Sequence, residues 1–205
     1  MLGNTTLNGS SLLSVIASKS ALEAVGSNDV PVSVENVTIN NDAMMLLAPT
    51  GHEAHMVGVK NITMNGGTIA FGHDKGAGYT ALLTEQMGGT GGTLIMNGDL
   101  AGGNDMLHAG SVSGKGTYNI ILNNTDSGKE LPYDELNRLI EIDKIQDGSQ
   151  PNFTLYAGND SVNPNKGKGT DQGAHKVNVV TRKDPKTGKT VVALITDTSQ
   201  TSRSA

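Results

Sequence analysis

One short phrase, a run of alternating residues that ends in asparagine, recurs along this chain with small variations. It reads VKNITMNGG at 59–67, VENVTINN at 34–41, GGTLIMNGD at 91–99 and YNIILNN at 118–124, with a shorter version, TTLNG, at 5–9. Recurring units of 20–50 residues are typical of solenoids, propellers and arrays, in which each unit buries its apolar side against its neighbours. The repeat therefore predicts a fold built from stacked or arrayed units.

The asparagine of the phrase gives an alignment of five copies. It occurs at Asn8, Asn40, Asn65, Asn97 and Asn123, with spacings of 32, 25, 32 and 26 residues. The preceding residue is Leu, Ile or Met in every copy, and the following residue is Gly or Asn. Gly and Asn tolerate the positive φ of a tight corner, so we expect each copy to be a strand that ends in a turn.

Apolar and polar residues alternate within the copies, and a period of two is the pattern of β-strands. Val37 and Ile39 flank Thr38, for example. Further strand candidates lie between the copies, at 67–72, 79–87 and 105–114. About three strands per unit predict an all-β fold, a right-handed parallel β-helix. Each rung would then pair with the rungs above and below, roughly 4.8 Å away, and inward aliphatic side chains would stack in ladders.

The composition fits a narrow interior. Aromatic residues make up 3% of the chain, with no Trp and two Phe, and Gly numbers 27. An antiparallel sandwich or barrel with polar turns is the alternative fold that the same alternation allows. The sequence does not decide the secondary structure of segment 12–25, because its apolar residues fit either a helix or strands around Ser18–Ser20.

The chain changes character after Asn124, where the phrase stops. Its C-terminal part contains a polar, turn-rich segment at 125–136, strand candidates at 137–145 and 151–158, an exposed loop at 159–173, a hairpin made by 175–183 and 189–196 around DPKTG, and a polar tail. We therefore expect β-helix rungs over 1–124 and closing rungs, a β-hairpin cap and the tail over 125–205. A solenoid needs such a cap because its last rung exposes unpaired backbone.

Charge, cysteine content and hydropathy restrict the partners and the compartment. The formal net charge is -5 without a Lys/Arg cluster, which argues against nucleic acid and anionic membranes as partners. The absence of Cys suits a chain that crosses an oxidising compartment unfolded. The sequence contains no apolar run of 18 residues, so it predicts no membrane-spanning helix. The start, MLGNTTLNGSS, lacks the basic region of a signal peptide, and we expect the chain to be a piece of a longer protein.

The segment GGTLIMNGDLAGGNDMLHAGSVSGKGTYNIILNN, at 91–124, resembles the C-terminal passenger region of pertactin-like bacterial autotransporters. That family shows an ordered series of loose motifs, which are matched here by Gly92–Leu94, Asn97–Gly98, Asp105–Leu107, Ser113–Gly114 and Tyr118–Asn123. The following strand candidates are similar in order to the closing strands of the family, so the resemblance covers about 91–196. The closing hairpin of the family often carries aromatic residues, including Trp, whereas the matching positions here are aliphatic.

The resemblance implies a secreted passenger fragment at the surface of a Gram-negative bacterium, followed in the family by a C-terminal β-barrel that provides the only membrane contact. It also implies that the closing region, 91–196, acts as an autochaperone that folds first and templates the other rungs. An adhesin or host-interaction stalk is the expected function. A host-cell surface molecule is the expected partner, bound through loops such as 50–58 and 72–78. Self-association through stacked polar faces is a second interaction of this kind.

Two stretches resemble metal-binding motifs without matching them. In GHEAH, the second histidine of His52–His55 comes one residue too early for a zinc protease motif, and Pro49 and Gly51 favour a loop. GGNDML at 102–107 and GNDSV at 158–162 each resemble one unit of a calcium-binding nonapeptide repeat, but neither has the tandem neighbour that would complete a site. We therefore predict no metal and no cofactor, with Asp105 as a corner residue.

The alternative function is a carbohydrate-active β-helix enzyme, a lyase or hydrolase. Such an enzyme needs carboxylates, or Asp with Arg and Lys, clustered on one outer face. The acidic residues are instead spread through predicted corners and loops, at Asp42, Asp74, Asp99, Asp105 and Asp126, and the three arginines are Arg138, Arg182 and Arg203. The sequence therefore predicts no catalytic residues and a protein that is not an enzyme.

Overall fold

All described strands belong to one hydrogen-bonded sheet. The computed structural model describes residues 2–17, 32–49, 55–73, 78–98, 103–124, 138–157, 170–172 and 175–197. These residues form thirteen β-strands and no helix. In chain order the strands are β1 (Leu2–Leu7), β2 (Leu12–Ala17), β3 (Val32–Asn40), β4 (Met44–Pro49), β5 (His55–Phe71), β6 (Thr80–Gly98), β7 (Met106–Val112), β8 (Thr117–Asn124), β9 (Arg138–Ile145), β10 (Asn152–Ala157), β11 (Thr170–Gln172), β12 (His175–Lys183) and β13 (Thr190–Asp197).

Strands β1 to β10 stack as six successive rungs. Four rungs consist of two strands each (β1 and β2, β3 and β4, β7 and β8, β9 and β10), whereas β5 and β6 each supply a whole rung. Each rung pairs in parallel with the next, so that Asn36 lies opposite Asn61 and Leu94 opposite Ile120. The backbone N–H and C=O groups of one rung are thus satisfied by its neighbours, as a strand requires.

Two corners divide each rung into three faces. In β5 the first corner is marked by two successive residues outside the core, the exposed Lys60 and the half-buried Asn61, and the pairing register skips the first of them. We name the residues before this corner face A, those up to the second corner face B, and those after it face C. In β5 these faces are 55–59, 61–65 and 68–71. Each rung therefore contributes about three short runs of strand, as the sequence predicts.

The second corner of each rung contains a residue with positive φ. Gly66 has a φ of 90° and Gly9 a φ of 56°, each directly after the asparagine that ends face B. In the second rung, where the sequence is Asn-Asn-Asp, Asp42 takes this conformation with a φ of 66°. The predicted role of the residue that follows the phrase, to turn the chain at positive φ, is confirmed at Gly9 and Gly66, whereas in the second rung the positive φ falls one residue later, at Asp42 rather than Asn41.

Inward side chains at equivalent positions form columns through the stack. On face B the column consists of Val37, Ile62, Met87 and Val112, and on face C of Met45, Ile69, Leu94 and Ile120. Each of these side chains is at most 1% exposed. Burial of one such side chain contributes roughly 1.5–3 kcal/mol, so the columns replace the large aromatic core that the composition lacks.

Residues at the C-terminus form the predicted hairpin. Strands β12 and β13 pair antiparallel, and the turn between them is closed by hydrogen bonds from Gly188 N to Asp184 O and from Asp184 N to Lys189 O, both 2.8 Å. Strand β13 also pairs antiparallel with β9, the last face A and face B strand of the stack. The hairpin therefore covers the backbone edge that the last rung would expose there, as a cap must.

The structure decides part of the segment that the sequence leaves open and corrects part of a predicted loop. The segment 12–25 begins with strand β2, so its first residues are not helical; residues 18–25 lie outside the described part of the chain. The predicted exposed loop at 159–173 is wrong at Thr170–Gln172, which form the short strand β11 against β12. Its polar sequence does not indicate a strand, because the strand forms by backbone pairing with β12 and shows no alternation of apolar and polar residues.

The alignment of all five phrase asparagines in one column is also wrong. Asn8, Asn40 and Asn65 stack at the end of face B, whereas Asn97 stacks on Asn123 at the end of face C. Both faces end with an apolar residue followed by Asn, so the two classes look alike in sequence. The true offset between neighbouring rungs is 25 residues from Asn36 through Asn61 and Gln86 to Ser111.

The architecture is therefore all-β, with a mainly parallel sheet that is compatible with a β-helix or solenoid. The described strands do not form the alternative antiparallel sandwich or barrel, because among them antiparallel pairing is confined to β9, β11, β12 and β13 at the cap. The described part of the chain has no helix that could cross a membrane.

Candidate binding surface

The outer surface of face B carries a regular array of amide and hydroxyl side chains on the first three rungs. The sequence there is Asn-x-Thr-x-Asn three times, at Asn4–Asn8, Asn36–Asn40 and Asn61–Asn65. The register places these residues in three columns: Asn4, Asn36 and Asn61; Thr6, Thr38 and Thr63; Asn8, Asn40 and Asn65. We name these nine residues the Asn–Thr–Asn array. Its columns are about 6.6 Å apart and its rows about 4.8 Å apart, the spacings of a parallel sheet.

Hydrogen bonds between rungs hold the amides of the array in place. In the first column Asn36 Nδ2 donates to Asn4 Oδ1 at 2.6 Å, and Asn61 Nδ2 donates to Asn36 Oδ1 at 2.7 Å. In the third column Asn40 Nδ2 donates to Asn8 Oδ1 at 2.7 Å and Asn65 Nδ2 to Asn40 Oδ1 at 3.3 Å. Each amide has two N–H donors and two acceptor lone pairs, so capacity for further hydrogen bonds remains on the outer side.

The array lies on a buried layer and stops at a defined place. The residues between its columns point inward, and Ile39, Ile62 and Met64 are at most 1% exposed. In the fourth rung the position of the threonine column is Gly88, where an added Cβ would lie 2.5 Å from Ser113 Oγ. The third column ends where Asn65 Oδ1 accepts a hydrogen bond from Thr90 N at 3.3 Å. The array is thus a rigid surface of three rungs.

Charged residues border the array but do not enter it. The first corner presents Glu35, Lys60 and Glu85 on successive rungs, beside the first column. The nine array residues themselves are uncharged at any physiological pH. A ligand that fits this surface is therefore expected to bind through hydrogen bonds to amide and hydroxyl groups, with little contribution from net charge.

The ion pairs of the described residues gather at the C-terminal end of the stack. Arg138 Nη1 lies 2.9 Å from Asp184 Oδ2 and 3.6 Å from Glu141 Oε1. The backbone N–H of Lys186 and the nearby Arg138 guanidinium hold the pKa of the Asp184 carboxyl below its usual range. This arrangement connects the hairpin turn to the first residue of β9, and its role is to fix the cap.

A second group joins face A to the cap. Asp143 Oδ1 lies 2.9 Å from His108 Nε2 and 3.3 Å from Lys189 Nζ. Partial burial acts to raise the pKa of Asp143, but His108, by its hydrogen bond and charge, and Lys189 outweigh it and hold that pKa below its usual range. His108 and Lys189 both compensate the negative charge of the Asp143 carboxylate, as partners do in a surface ion pair.

Asp105 is a buried carboxylate with a structural set of partners. Its Oδ1 accepts a hydrogen bond from Thr80 N at 2.8 Å, and its Oδ2 accepts from Asn97 N at 2.8 Å and Asn97 Nδ2 at 2.9 Å. Burial raises the pKa of Asp105, against the lowering effect of these donors. The carboxylate takes the place of a strand partner where the chain passes between face C and the next face A.

A cleft of about 280 Å³ opens beside Asp105, at the start of face A. Its lining is formed by His55, Tyr79, Thr80, Ala81, Asn104, Met106 and Arg138. The Thr80 hydroxyl is buried there without a hydrogen-bond partner among the described residues. The seven residues that define the cleft in the described part of the chain include no Asp or Glu.

The sequence motifs for metal binding fall in separate places. Of His52–His55, only His55 is described, and it is a buried residue at the start of β5. Asp105 directs its oxygens to N–H donors, and 158–162 lies outside the described residues. Among the residues that the structure describes, no three His, Cys, Asp or Glu side chains form a group suited to a metal ion.

The expected acidic residues and binding loops are only partly described. Asp42 occupies an exposed corner and Asp105 a buried one, while Asp74, Asp99, Asp126 and Arg203 lie outside the described residues. The expected binding loop at 50–58 is too long, because residues 55–58 are the buried start of β5. Most of the second loop, 72–78, also lies outside the described residues.

The sequence prediction does not include the array, although the sequence contains a signal for it. Alignment of the repeated phrase on its final Asn alone does not separate the array, because it also collects the face C copies. Alignment on both asparagines and the central threonine selects only Asn4–Asn8, Asn36–Asn40 and Asn61–Asn65. Searching for two polar positions four residues apart, both outward on one strand, would have found the surface.

Comparison with known proteins adds no family. No protein-family model matches the chain, and no curated protein matches its sequence.

Proposed function

We propose that this chain is a secreted passenger fragment of the pertactin-like autotransporter type, folded as a right-handed parallel β-helix, that binds a host-cell surface molecule without catalysis. The single observation that carries the binding role is the Asn–Thr–Asn array. A flat, rigid set of amides and hydroxyls at sheet spacing suits a ligand with many hydroxyl groups, and cell-surface glycans have that chemistry. The resemblance at 91–196 supports the passenger assignment and an exposed location on or near the outer membrane.

A non-catalytic role is supported by how three of the described carboxylates are used. Asp143 and Asp184 are each engaged by cationic partners, and Asp105 by three N–H donors. A carbohydrate-active enzyme would instead direct an acid and a base toward one groove. The array offers hydrogen bonds to a sugar but no group that could transfer a proton at neutral pH.

Binding of labelled protein to host-type cells, with unlabelled protein as competitor, tests the proposal. The variant Thr6→Val/Thr38→Val/Thr63→Val removes one column of hydroxyls at constant shape and keeps β-branched residues in the strands. We expect saturable binding by the natural protein and a loss of at least tenfold in affinity for the variant. The matched control is Thr68→Val/Thr93→Val, which makes the same change on the outer side of face C and should bind normally.

Either of two results would remove the binding role from the array. Absence of competable binding would leave the fragment as a stalk, and equal binding by the array variant and the control would move the site elsewhere. Thermal unfolding of all three proteins serves as the folding check, because isosteric outward substitutions should change stability little.

We propose further that the closing region, 91–196, templates the other rungs. The support is that β9 of the last rung is covered by the antiparallel cap strand β13, whereas β1 and β2 of the first rung each have a neighbour on one edge only. Adding a rung to a finished one costs less than forming the first. Urea unfolding should then show two steps, with strands from β7 onward protected longest in hydrogen exchange. A single cooperative step with uniform protection would contradict templating.

A further inference from the structure

The outer side of face C carries apolar residues at equivalent positions on successive rungs. Ser14, Leu46, Ala70, Ile95 and Ile121 lie opposite one another on successive rungs and point away from the core. On the first two rungs they are flanked by further apolar side chains, namely Leu12, Ile16, Met44 and Ala48. We name the apolar members of this group the face C strip. It is continuous from the first rung to the fifth.

The exposure of the strip is highest at its N-terminal end. Leu12 is 59% exposed and Ile16 is 66% exposed, and together with Leu2 they are the large hydrophobic residues that stand out on the described surface. Leu46, Ile95 and Ile121 are half-buried, and Ala70 between them is 8% exposed. Contiguous apolar surface of this kind is uncommon on a soluble monomer unless it serves an interaction.

Face C also carries no charge. Its described strands read LLSVIA, MMLLAP, TIAF, TLIMNG, TYNIILNN and NFTLYA, without Asp, Glu, Lys, Arg or His. The charged residues of the described stack lie on faces A and B and at the corners, for example Lys60, Glu85, Glu141 and Asp42. Natural sheets commonly use outward charges to prevent association, and face C lacks this protection. The depletion of charge is the pattern found at the centre of protein interfaces.

We propose that face C is a homodimer interface, in which the strips of two copies of this chain pack against each other. A second copy is the occupant that fits best, because the chain has a net charge of -5 and face C is the side on which two copies can approach without bringing charges together. Two sheets pack face to face about 10 Å apart, with apolar side chains interdigitating. The Thr and Asn column beside the strip, Thr68, Thr93, Asn119 and Thr154, then forms the polar rim.

The area suits a weak dimer. The strip spans five rungs, and five strands at about 4.8 Å with six residues at about 3.3 Å give a surface of about 24 by 20 Å, or roughly 480 Å² per copy. Two copies then bury roughly 960 Å², which is below the size of stable specific interfaces and in the range of weak, transient ones. An interface of this size with a two-fold axis predicts a reversible dimer that depends on concentration. The inference is independent of the proposed function, because the Asn–Thr–Asn array lies on a different face.

Sedimentation velocity of the purified full chain over a wide concentration range tests the proposal. We expect the natural protein to change reversibly from monomer to dimer as its concentration rises. Ile95→Lys places a charge in the centre of the strip and should keep the protein monomeric at every concentration used. The matched control is Leu83→Lys, a half-buried outward aliphatic residue of the same strand β6, but on face A. It should dimerise like the natural protein.

Three results would overturn the proposal. These are a natural protein that stays monomeric, a dimer that persists in Ile95→Lys, and equal loss of the dimer in Ile95→Lys and Leu83→Lys. Melting temperatures of dilute protein can give a fourth contradicting result. If Ile95→Lys lowers the melting temperature of the monomer far more than Leu83→Lys does, another segment of the same chain covers the strip. The face B variant Thr6→Val/Thr38→Val/Thr63→Val should dimerise normally, so failure of cell binding and failure of dimerisation are distinguishable.

Discussion

The first three rungs and the C-terminal cap hold strands together by different side-chain chemistry. In rungs 1 to 3, identical asparagines stack in register and donate hydrogen bonds to one another at 2.6–3.3 Å. At the cap, opposite charges meet, as in the pairs Arg138–Asp184 and Lys189–Asp143. A column of identical charged residues about 4.8 Å apart would repel itself, whereas an amide is both donor and acceptor. Repetition therefore favours amides, and charge pairs suit the place where strand direction reverses.

The largest effect is expected from a change inside the repeated columns. Leu94 is fully buried between Ile69 and Ile120 on face C. Leu94→Ala should reduce the free energy of unfolding by about 2–5 kcal/mol, since it leaves a cavity that the rigid sheet cannot fill. Ile95→Ala, the next residue but outward, is the control and should cost less than half as much in urea unfolding. Equal losses would mean that the column does not carry the core.

The second corner should be sensitive in a position-dependent way. Gly91 has a φ of 98°, and an added Cβ would lie 2.1 Å from Thr117 O of the next rung. Gly91→Ala is therefore expected to cost about 1–3 kcal/mol from backbone strain, with displacement of the neighbouring rung adding to it. Gly9→Ala meets no atom within 4 Å and should cost only about 1 kcal/mol for its left-handed φ. Thermal unfolding of the pair would compare them, and a larger loss for Gly9→Ala would contradict the stacking.

Acidification should weaken the cap before it weakens the amide columns. The pKa of Asp184 in the folded protein is below its usual value. The stabilisation of the folded state by the ionised Asp184 carboxylate is therefore fully present above the ordinary pKa of about 3.9, and it is lost as the pH falls toward the folded pKa. Asp184→Asn should therefore lower the stability of β13 near neutral pH, with a difference from the natural protein that shrinks below about pH 4. Hydrogen exchange of β13 amides measures it, with Asp147→Asn, at an exposed turn residue, as control.

A constant difference between Asp184→Asn and the natural protein from pH 7 to pH 3 would show that the carboxylate does not stabilise the cap through its charge. Asp105 has the opposite sign, because its raised pKa favours the folded protein as the pH falls. It is present in both proteins, so the comparison between them removes its contribution.

The smallest effect is expected in the amide columns themselves. Asn61→Ala removes the donor to Asn36 and should cost about 0.5–1.5 kcal/mol, the net value of a hydrogen bond. Asn4→Ala, at the exposed end of the same column, removes only an acceptor that water can replace, and should cost less. Urea midpoints of the two variants make the measurement. If the two substitutions cost the same, the position in the stack does not matter and the column is not cooperative.

Strands and the cap were predictable because their signals are local. Alternation located the strand candidates, and Asp-Pro-Lys-Thr-Gly located the hairpin turn that Asp184 and Gly188 close. Register was not predictable, since it depends on which rung a strand pairs with. Asn97 and Asn65 have the same sequence surroundings but end different faces. The Asn–Thr–Asn array also depends on register, because its three columns form only when the three Asn-x-Thr-x-Asn segments are aligned with one another.

The face C strip was missed for a related reason. Leu46 and Ile95 belong to runs such as MMLLAP and TLIM, where apolar residues point both inward and outward. A continuous apolar run is normally interpreted as a strand buried on both sides. Composition alone cannot separate a strand covered by its own chain from one covered by a second copy.

The offset of 25 residues at the start of face B, kept from the second rung to the fifth, also bears on how such a chain can change over generations. A duplication or deletion of one 25-residue unit within this part would leave every column, corner and face in register, and would alter only the length of the protein. An insertion of one residue inside a strand would exchange inward and outward side chains for the rest of that strand. Changes by whole units are therefore the ones that this sequence can tolerate, and its variation in length is expected to be stepwise.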